Sequence, residues 1–329
     1  MLKAAYILDA NAHRLIYGPA EQRDIAAQVE IVAPVIAGRD VKAHLTQLKD
    51  IDVIFSGWGG PTLDDALLAA LPNLKAVFYG AGSIKGIVTD AFWDKKIPIT
   101  SSYAANAIPV AEFTLAQVLF SLKAGWQCIM ESRLHRRFRQ PKVPGAYGST
   151  VGLVSLGMIG RRVAQLLQPF DLHVIGFDPM ISPERAGELQ VGLCSLSQLF
   201  KQSDVVSLHT PWLKETENMI DGELIASMKP GATLINTSRG AIVNENEMIE
   251  VLKQRPDIWA VLDVTHPEPP RPESPLWELP NVILTPHIAG SMDNECRRMG
   301  RVVVDELGRF INQEPLRFSI SRAQAAVMA

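Results

Sequence analysis

Val151-Gly-Leu-Val-Ser-Leu-Gly-Met-Ile-Gly160 decides how the chain is read. An apolar run over residues 151–155 enters a glycine-spaced turn, and residues 159–170 continue at helical spacing. Strand, turn and helix in that order form the context in which G-x-G-x-x-G acts as a dinucleotide fingerprint. Gly157 and Gly160 stand at its second and third glycine positions. The second lets backbone approach a pyrophosphate, and the third lets helix and strand pack closely. Ser155 holds the first position, so the sequence leaves open whether the tight turn forms. The N–H groups of Met158 and Ile159 would face the pyrophosphate from the helix N-terminus, where the dipole favours negative charge. Past a strand at residues 173–177 comes Asp178, at roughly the 20-residue spacing of the acid that accepts from the adenosine ribose hydroxyls. A carboxylate there repels a 2′-phosphate, and Pro179-Met180 brings no arginine to offset it. NAD is therefore expected over NADP.

Outward from this motif the alternation of strand and helix persists. Strands are expected at 151–155, 173–177, 205–208, 232–236, 259–264 and 282–285, with a helix at 245–255. Their near-continuous apolar character suits strands covered on both faces. Before the motif, strands are expected at 4–8, 30–35, 53–56, 76–79 and 98–100, separated by helices at 21–28, 41–48, 63–71 and 90–95. Between the halves, residues 106–138 switch to helical spacing, with Pro109 suited to a first helical position. A second helix is expected to carry Trp126, Ile129, Met130, Leu134 and Phe138, before the Pro/Gly-rich residues 141–148. These helices read as an arm, for either interdomain packing or a subunit interface. A last helix near 294–311 has no strand of its own and is free to return to the first domain.

Three later segments each end a strand, where open α/β sheets place their ligands. They are Asn236-Thr-Ser-Arg239-Gly240, Asp263-Val-Thr-His-Pro-Glu268-Pro and Leu284-Thr-Pro-His287-Ile-Ala-Gly290. A guanidinium binds a planar carboxylate by a bidentate fork, which suits Arg239 to a 2-keto acid. Hydride delivered to the carbonyl carbon leaves an alkoxide that needs a proton, and histidine titrates near neutral pH, which suits His287. A carboxylate on the other ring nitrogen orients the imidazole and favours its charged form, which suits Glu268. His266 is the rival acid, ranked second because its loop is proline-rich. His209, in Leu208-His-Thr-Pro211, is expected on the adenosine side. Asp263 either accepts from the nicotinamide carboxamide or caps the next turn.

These ordered motifs, together with Val110-Ala-Glu-Phe113, resemble the D-isomer-specific 2-hydroxyacid dehydrogenase family over nearly the whole length. The resemblance implies an α/β protein of two doubly wound parallel-sheet domains, a Rossmann cofactor domain inserted in a flavodoxin-like substrate domain. The substrate domain is expected at 1–105 plus 294–329, and the NAD domain at 106–293 with a dimerisation arm at about 106–148. The resemblance makes Arg239, Glu268 and His287 the catalytic trio. Gly157, Met158, Ile159, Asp178, His209, Thr210, Pro211, Thr237, Ser238 and Asp263 become cofactor contacts, with Ala289 and Gly290 near the nicotinamide. It also implies a homodimer. Gly80-Ala-Gly82 resembles the loop whose amides hold the substrate carboxylate, through Ala81 and Gly82. Ser83-Ile-Lys-Gly86 and Ser56-Gly-Trp-Gly-Gly60 depart from the family's usual continuations. A phosphate-bearing substrate would want a local cation, and Lys85 is the one nearby candidate, which argues against 3-phosphoglycerate. Trp58 either covers an apolar substituent or packs between domains. The expected activity is hydride transfer between NAD(H) and a small 2-keto or D-2-hydroxy acid. The alternative is an NAD(H)-sensing regulatory protein, similar to the corepressors on this scaffold, against which the intact trio weighs.

The composition agrees. A chain of 329 residues has room for two domains, and 47% hydrophobic with 20% charged residues is ordinary for a globular protein. A net charge of −3 offers nothing to a polyanion, so neither nucleic acid nor membrane is an expected partner. The one basic run is Arg133, His135, Arg136, Arg137 and Arg139. Three scattered cysteines make no disulfide framework or metal site, so no metal and a cytoplasmic location are expected. The first residues, through Asp9, read as a β-strand and not as a signal peptide.

Overall fold

The structure, a computed structural model, describes residues 1–138, 140 and 142–328. Arg139 of the basic run and Pro141 of the Pro/Gly-rich connection lie outside the described residues. The chain forms two compact units, Met1–Ala107 with Ser291–Met328, and Ile108–Gly290.

In the first unit, five parallel strands run in the order β2-β1-β3-β4-β5: β1 (Leu2–Tyr6), β2 (Val29–Ile31), β3 (Val53–Ser56), β4 (Ala76–Tyr79) and β5 (Ile99–Ser101). Successive side chains of a strand face opposite sides, and here both sides are buried. Ala4, Tyr6 and Leu8 join Phe55 and Phe78 on one face, covered by Met299, Val303 and Leu307 of the helix Cys296–Ile311. Ala5 and Ile7 join Ile54 and Val77 on the other, covered by Leu67, Leu68 and Phe92. The orphan last helix therefore belongs to this unit. The segment after it runs antiparallel to β5, with Ser101 N–H donating to Phe318 O and Ile320 N–H to Ile99 O. Glu306, fully buried, anchors that segment by accepting from the amides of Arg317 and Phe318, both at 3.1 Å. An edge that would otherwise present unpaired backbone is closed this way.

In the second unit, seven parallel strands run in the order β12-β11-β10-β9-β6-β7-β8. They are β6 (Thr150–Val154), β7 (His173–Phe177), β8 (Gly192–Leu193), β9 (Val205–Leu208), β10 (Thr233–Asn236), β11 (Trp259–Leu262) and β12 (Val282–Leu284). The register pairs Val154 with both Phe177 and Leu208, and Asn236 with Leu262. The loops after β6, β7, β9, β10, β11 and β12 thus gather at one sheet edge.

Several elements differ from expectation. Pro109 does not start a helix; it lies inside Tyr103–Leu122, which begins where Ser102 O receives the amides of Ala105 and Asn106. The missing N–H removes one helical bond, a loss that the apolar packing of Val110, Ala111, Val118 and Leu122 offsets. This helix has the length and mean hydropathy (1.3) of a membrane span, but 56% of that window is buried within the protein, as in a core helix. The second arm helix, Gly125–His135, stops short of Phe138 and buries no residue. Residues 41–48 form a 3-10 helix, Gly38–His44, followed by the single turn Leu45–Leu48. The helix expected at 21–28 runs from Pro19 to Ala26, with Pro at its first position, and a further helix, Ala10–Ile16, not expected from the sequence, precedes it. β2 ends at Ile31, before Pro34, which has no amide to donate to a ladder. The two-residue β8 and the helices Pro183–Glu188, Leu196–Gln202 and Gly222–Ala226 are too short for periodicity to reveal.

Candidate active site

The turn after β6 is made by Ser155 itself, which takes the left-handed conformation at φ 73°. A side chain pays on the order of 1–2 kcal/mol there relative to glycine. The hydroxyl of Ser155 pairs with that of Thr210 at 2.8 Å, and its amide donates to Phe177 O at 2.7 Å, which ties the strained turn to the loops after β7 and β9. Gly160 is required by packing, since a Cβ there would stand 2.1 Å from Ser155 O. Gly157 is different: a Cβ would meet no protein atom within 4 Å. Space before a helix N-terminus is what a pyrophosphate needs, and the first-turn amides of Met158 and Ile159 have no acceptor within the helix Met158–Leu167. Arg161, which the sequence reading missed, donates from Nε to Gly157 O at 3.2 Å and so brings a guanidinium to this loop. Its signal was its place one helical turn after Gly157.

Asp178, at the end of β7, accepts from Leu156 N–H at 2.6 Å and from Met180 N–H at 2.7 Å. Each carboxylate oxygen keeps a further lone pair for a hydroxyl. His209 is buried, its Nε2 within 3.1 Å of Ser207 Oγ, and burial pushes its pKa down to about 4. It is neutral at pH 7, and its Nδ1 has no partner among the described residues. Its ring lies beneath Gly160. The open space at Gly157, the free first-turn amides and this orphaned buried nitrogen fit a dinucleotide. Beyond His209, Thr210 is tied to Ser155, and Pro211 O accepts from the Thr216 hydroxyl at 2.6 Å.

After β10, the Asn236 side chain shapes the loop, accepting from Ser238 N–H and Oγ–H and donating to Arg239 O. The Thr237 hydroxyl pairs with that of Thr114 at 3.0 Å. Both cofactor-candidate hydroxyls thus help to hold the loop, and each keeps acceptor capacity beyond that bond. Gly240 is forced by close approach, as a Cβ would lie 2.0 Å from the Thr265 carbonyl carbon. Arg239 is half-buried and donates to Ser238 O at 2.6 Å; burial lowers its pKa, and the nearby Glu268 charge pushes it back up.

Glu268 Oε1 lies 2.6 Å from His287 Nδ1. His287 sits at φ 55°, with its amide donating to the carbonyls of Asp263 and Thr285. Asp263, only 2% exposed, explains how the loop holds that conformation: it accepts from the Thr285 hydroxyl and from the amides of Ile288 and Ala289. Of its two expected roles, capping the turn is the one its contacts fill. The ring of His266 packs edge-on against Trp212 at 5.3 Å, and its amide donates to Glu245. The carboxylate thus pairs with His287 and not with the rival. An acid, a base that orients it and a guanidinium on adjacent strand ends can hold a carboxylate and move a proton. Among the described residues, no cluster of three or more metal-ligating side chains occurs.

The remaining candidates lie in the first unit. Ala81 is buried, Gly82 and Trp58 are partly exposed, and Ser101 Oγ lies 2.9 Å from Ala81 O. The amides of Ala81 and Gly82 have no acceptor among the described residues.

A family model for the D-isomer specific 2-hydroxyacid dehydrogenase NAD binding domain matches residues 116–289, more than half the chain. The chain belongs to that family. It is 33% identical to the D-3-phosphoglycerate dehydrogenase of Mycobacterium leprae over 248 residues, 75% of this chain and 47% of that protein. It is 34% identical to the (S)-sulfolactate dehydrogenase of Chromohalobacter salexigens over 250 residues, 75% of this chain and 81% of that one. The chain spans about half the length of the first of these. A solved D-isomer specific 2-hydroxyacid dehydrogenase from Lactobacillus delbrueckii ssp. bulgaricus, in its NAD complex, superposes with a TM-score of 0.80 at 23% identity, covering 97% of this chain and all of that one. The two parallel-sheet α/β domains are this family's fold, and NAD is its cofactor. In this chain, Asp178→Ala removes the anchor of the glycine loop and the acceptor expected for ribose. Fluorescence titration is expected to read a roughly tenfold weaker NADH affinity and a narrower preference over NADPH. An unchanged preference would remove Asp178 from coenzyme selection.

Proposed function

We propose that the chain reduces a small 2-keto acid to its D-2-hydroxy acid with NADH. The observation that carries this reading is the 2.6 Å bond between His287 Nδ1 and Glu268 Oε1, with Arg239 close enough to feel the Glu268 charge. When bound, NADH supplies the hydride. Arg239 binds the substrate carboxylate through its fork and polarises the adjacent carbonyl. Glu268 holds the imidazole by Nδ1, so Nε2 faces outward from a half-exposed ring and delivers the proton to the nascent alkoxide. In the reverse direction the same nitrogen takes the proton back. The exposed Ile129 and Leu134 of the helix Gly125–His135 support a pairing of two copies through this arm.

The test is a panel of glyoxylate, hydroxypyruvate, pyruvate and branched 2-keto acids, assayed with NADH and with NADPH. Turnover with NADH on at least one acid is expected. NADH binding with no turnover on any, together with a stable protein partner, would favour an NAD(H) sensor instead.

A further inference from the structure

Arg161 stands one helical turn past Gly157, on the helix Met158–Leu167. Side chains of an α-helix lean toward its N-terminus, so a residue at that place lies over the first turn. Its Nε and its backbone N–H both donate to Gly157 O, at 3.2 and 3.0 Å, which fixes the guanidinium beside that turn. Its two terminal nitrogens are left over: among the described residues, no hydrogen bond or ion pair engages them. The same turn has open space at Gly157, where a Cβ would meet nothing within 4 Å, and first-turn amides with no acceptor in the helix. A pyrophosphate there brings full negative charge, against which the helix end offers only partial charges. The other contacts expected around it supply no cation. Met158 and Ile159 are apolar, Asp178 is an acid, and burial keeps His209 neutral at pH 7.

We infer that Arg161 is the cation of the cofactor site and closes on the pyrophosphate of the bound dinucleotide with its two terminal nitrogens. The Nε bond to Gly157 O leaves a planar pair of NH₂ groups, and such a fork matches two phosphate oxygens at once. That bond also restrains the side chain before the cofactor arrives, so less rotamer freedom is lost on binding. The guanidinium is partly exposed, which makes its attraction to the pyrophosphate sensitive to salt. A lysine in its place keeps the charge without the fork. The role concerns the dinucleotide alone and holds whichever acid is reduced.

The experiment is a fluorescence titration with NADH and NADPH, and competition by ADP-ribose and by adenosine, which lacks the pyrophosphate. Arg161→Ala is expected to weaken NADH and ADP-ribose roughly tenfold and to leave adenosine within about twofold. Raising the salt from about 0.05 to about 0.5 M should narrow the gap between wild type and variant to roughly threefold. Arg161→Lys should bring NADH affinity back to within about threefold of wild type, since the charge returns. Arg161→Gln, which keeps much of the length but not the charge, should lose as much as the alanine variant and serves in its place if that protein does not fold. An equal loss for adenosine and ADP-ribose would make Arg161 a support of the loop only. A larger loss for NADPH than for NADH would move the guanidinium to the 2′-phosphate. Either result overturns the inference, as does an unchanged NADH affinity in a folded Arg161→Ala or Arg161→Gln protein.

Discussion

His287→Ala is expected to lower kcat for 2-keto acid reduction about 10²–10⁴-fold while the NADH dissociation constant changes by no more than about twofold. The asymmetry follows from where the side chain points. Its Nδ1 is committed to Glu268, and the ring is 48% exposed, so its removal opens no core cavity. The backbone contacts of the loop, from His287 N–H to the carbonyls of Asp263 and Thr285, survive the substitution. Glu268→Gln should cost less, because the amide oxygen still accepts from Nδ1 while the charge that stabilises the imidazolium is gone. Stopped-flow reduction and equilibrium NADH fluorescence separate the two readouts. A His287→Ala protein that retains a tenth of wild-type kcat would transfer the proton role elsewhere, with His266 first to be tested.

Which features were legible in the sequence follows from how local their causes are. Strands 53–56, 76–79 and 205–208 coincide with the structure because a strand buried on both faces must be a continuous apolar run, and 173–177 coincides although it is only partly buried. Arg239, Glu268 and His287 were legible because each sits just past such a run, and strand ends gather at one edge whatever the loops do. Conformations set by partners distant in sequence were not legible. Ser155 reads as a departure from the glycine pattern, and only its bond to Thr210, with the amide contact to Phe177 O, shows how a side chain is kept at positive φ there. Pro109 reads as a helix start, because local preference carries no trace of the packing that extends the helix back to Tyr103. Asp263 left two roles open because its acceptors serve residues more than 20 positions away.

Ser155 and His287, both at positive φ, are two places at this sheet edge where backbone strain is held by surrounding contacts. For His287 the surrounding contact is mainly Asp263, and Asp263→Asn therefore tests more than a single bond. The carboxylate accepts from the Thr285 hydroxyl at 2.6 Å and from the Ile288 and Ala289 amides, both at 2.9 Å, at a site 2% exposed. An asparagine keeps one oxygen, and its NH₂ must then face either the two donors on Oδ1 or the Ala289 amide. At least one buried N–H loses its acceptor and meets a donor instead. Hydrogen bonds to a charged group contribute about 1.5–3 kcal/mol each, so the loop is destabilised by roughly 2–5 kcal/mol. At about 2–4 °C per kcal/mol for a unit of this size, thermal unfolding is expected to begin roughly 5–15 °C lower. The loop that carries His287, Ala289 and Gly290 loses its fixed geometry, so kcat/KM should fall about 10²-fold with a concurrent weakening of NADH. His287→Ala and Asp263→Asn are thus separable: the first loses chemistry at nearly constant stability and cofactor affinity, and the second loses all three together. An Asp263→Asn protein with wild-type unfolding temperature and kcat/KM would mean that the conformation of His287 is held by the Glu268 bond and the backbone alone.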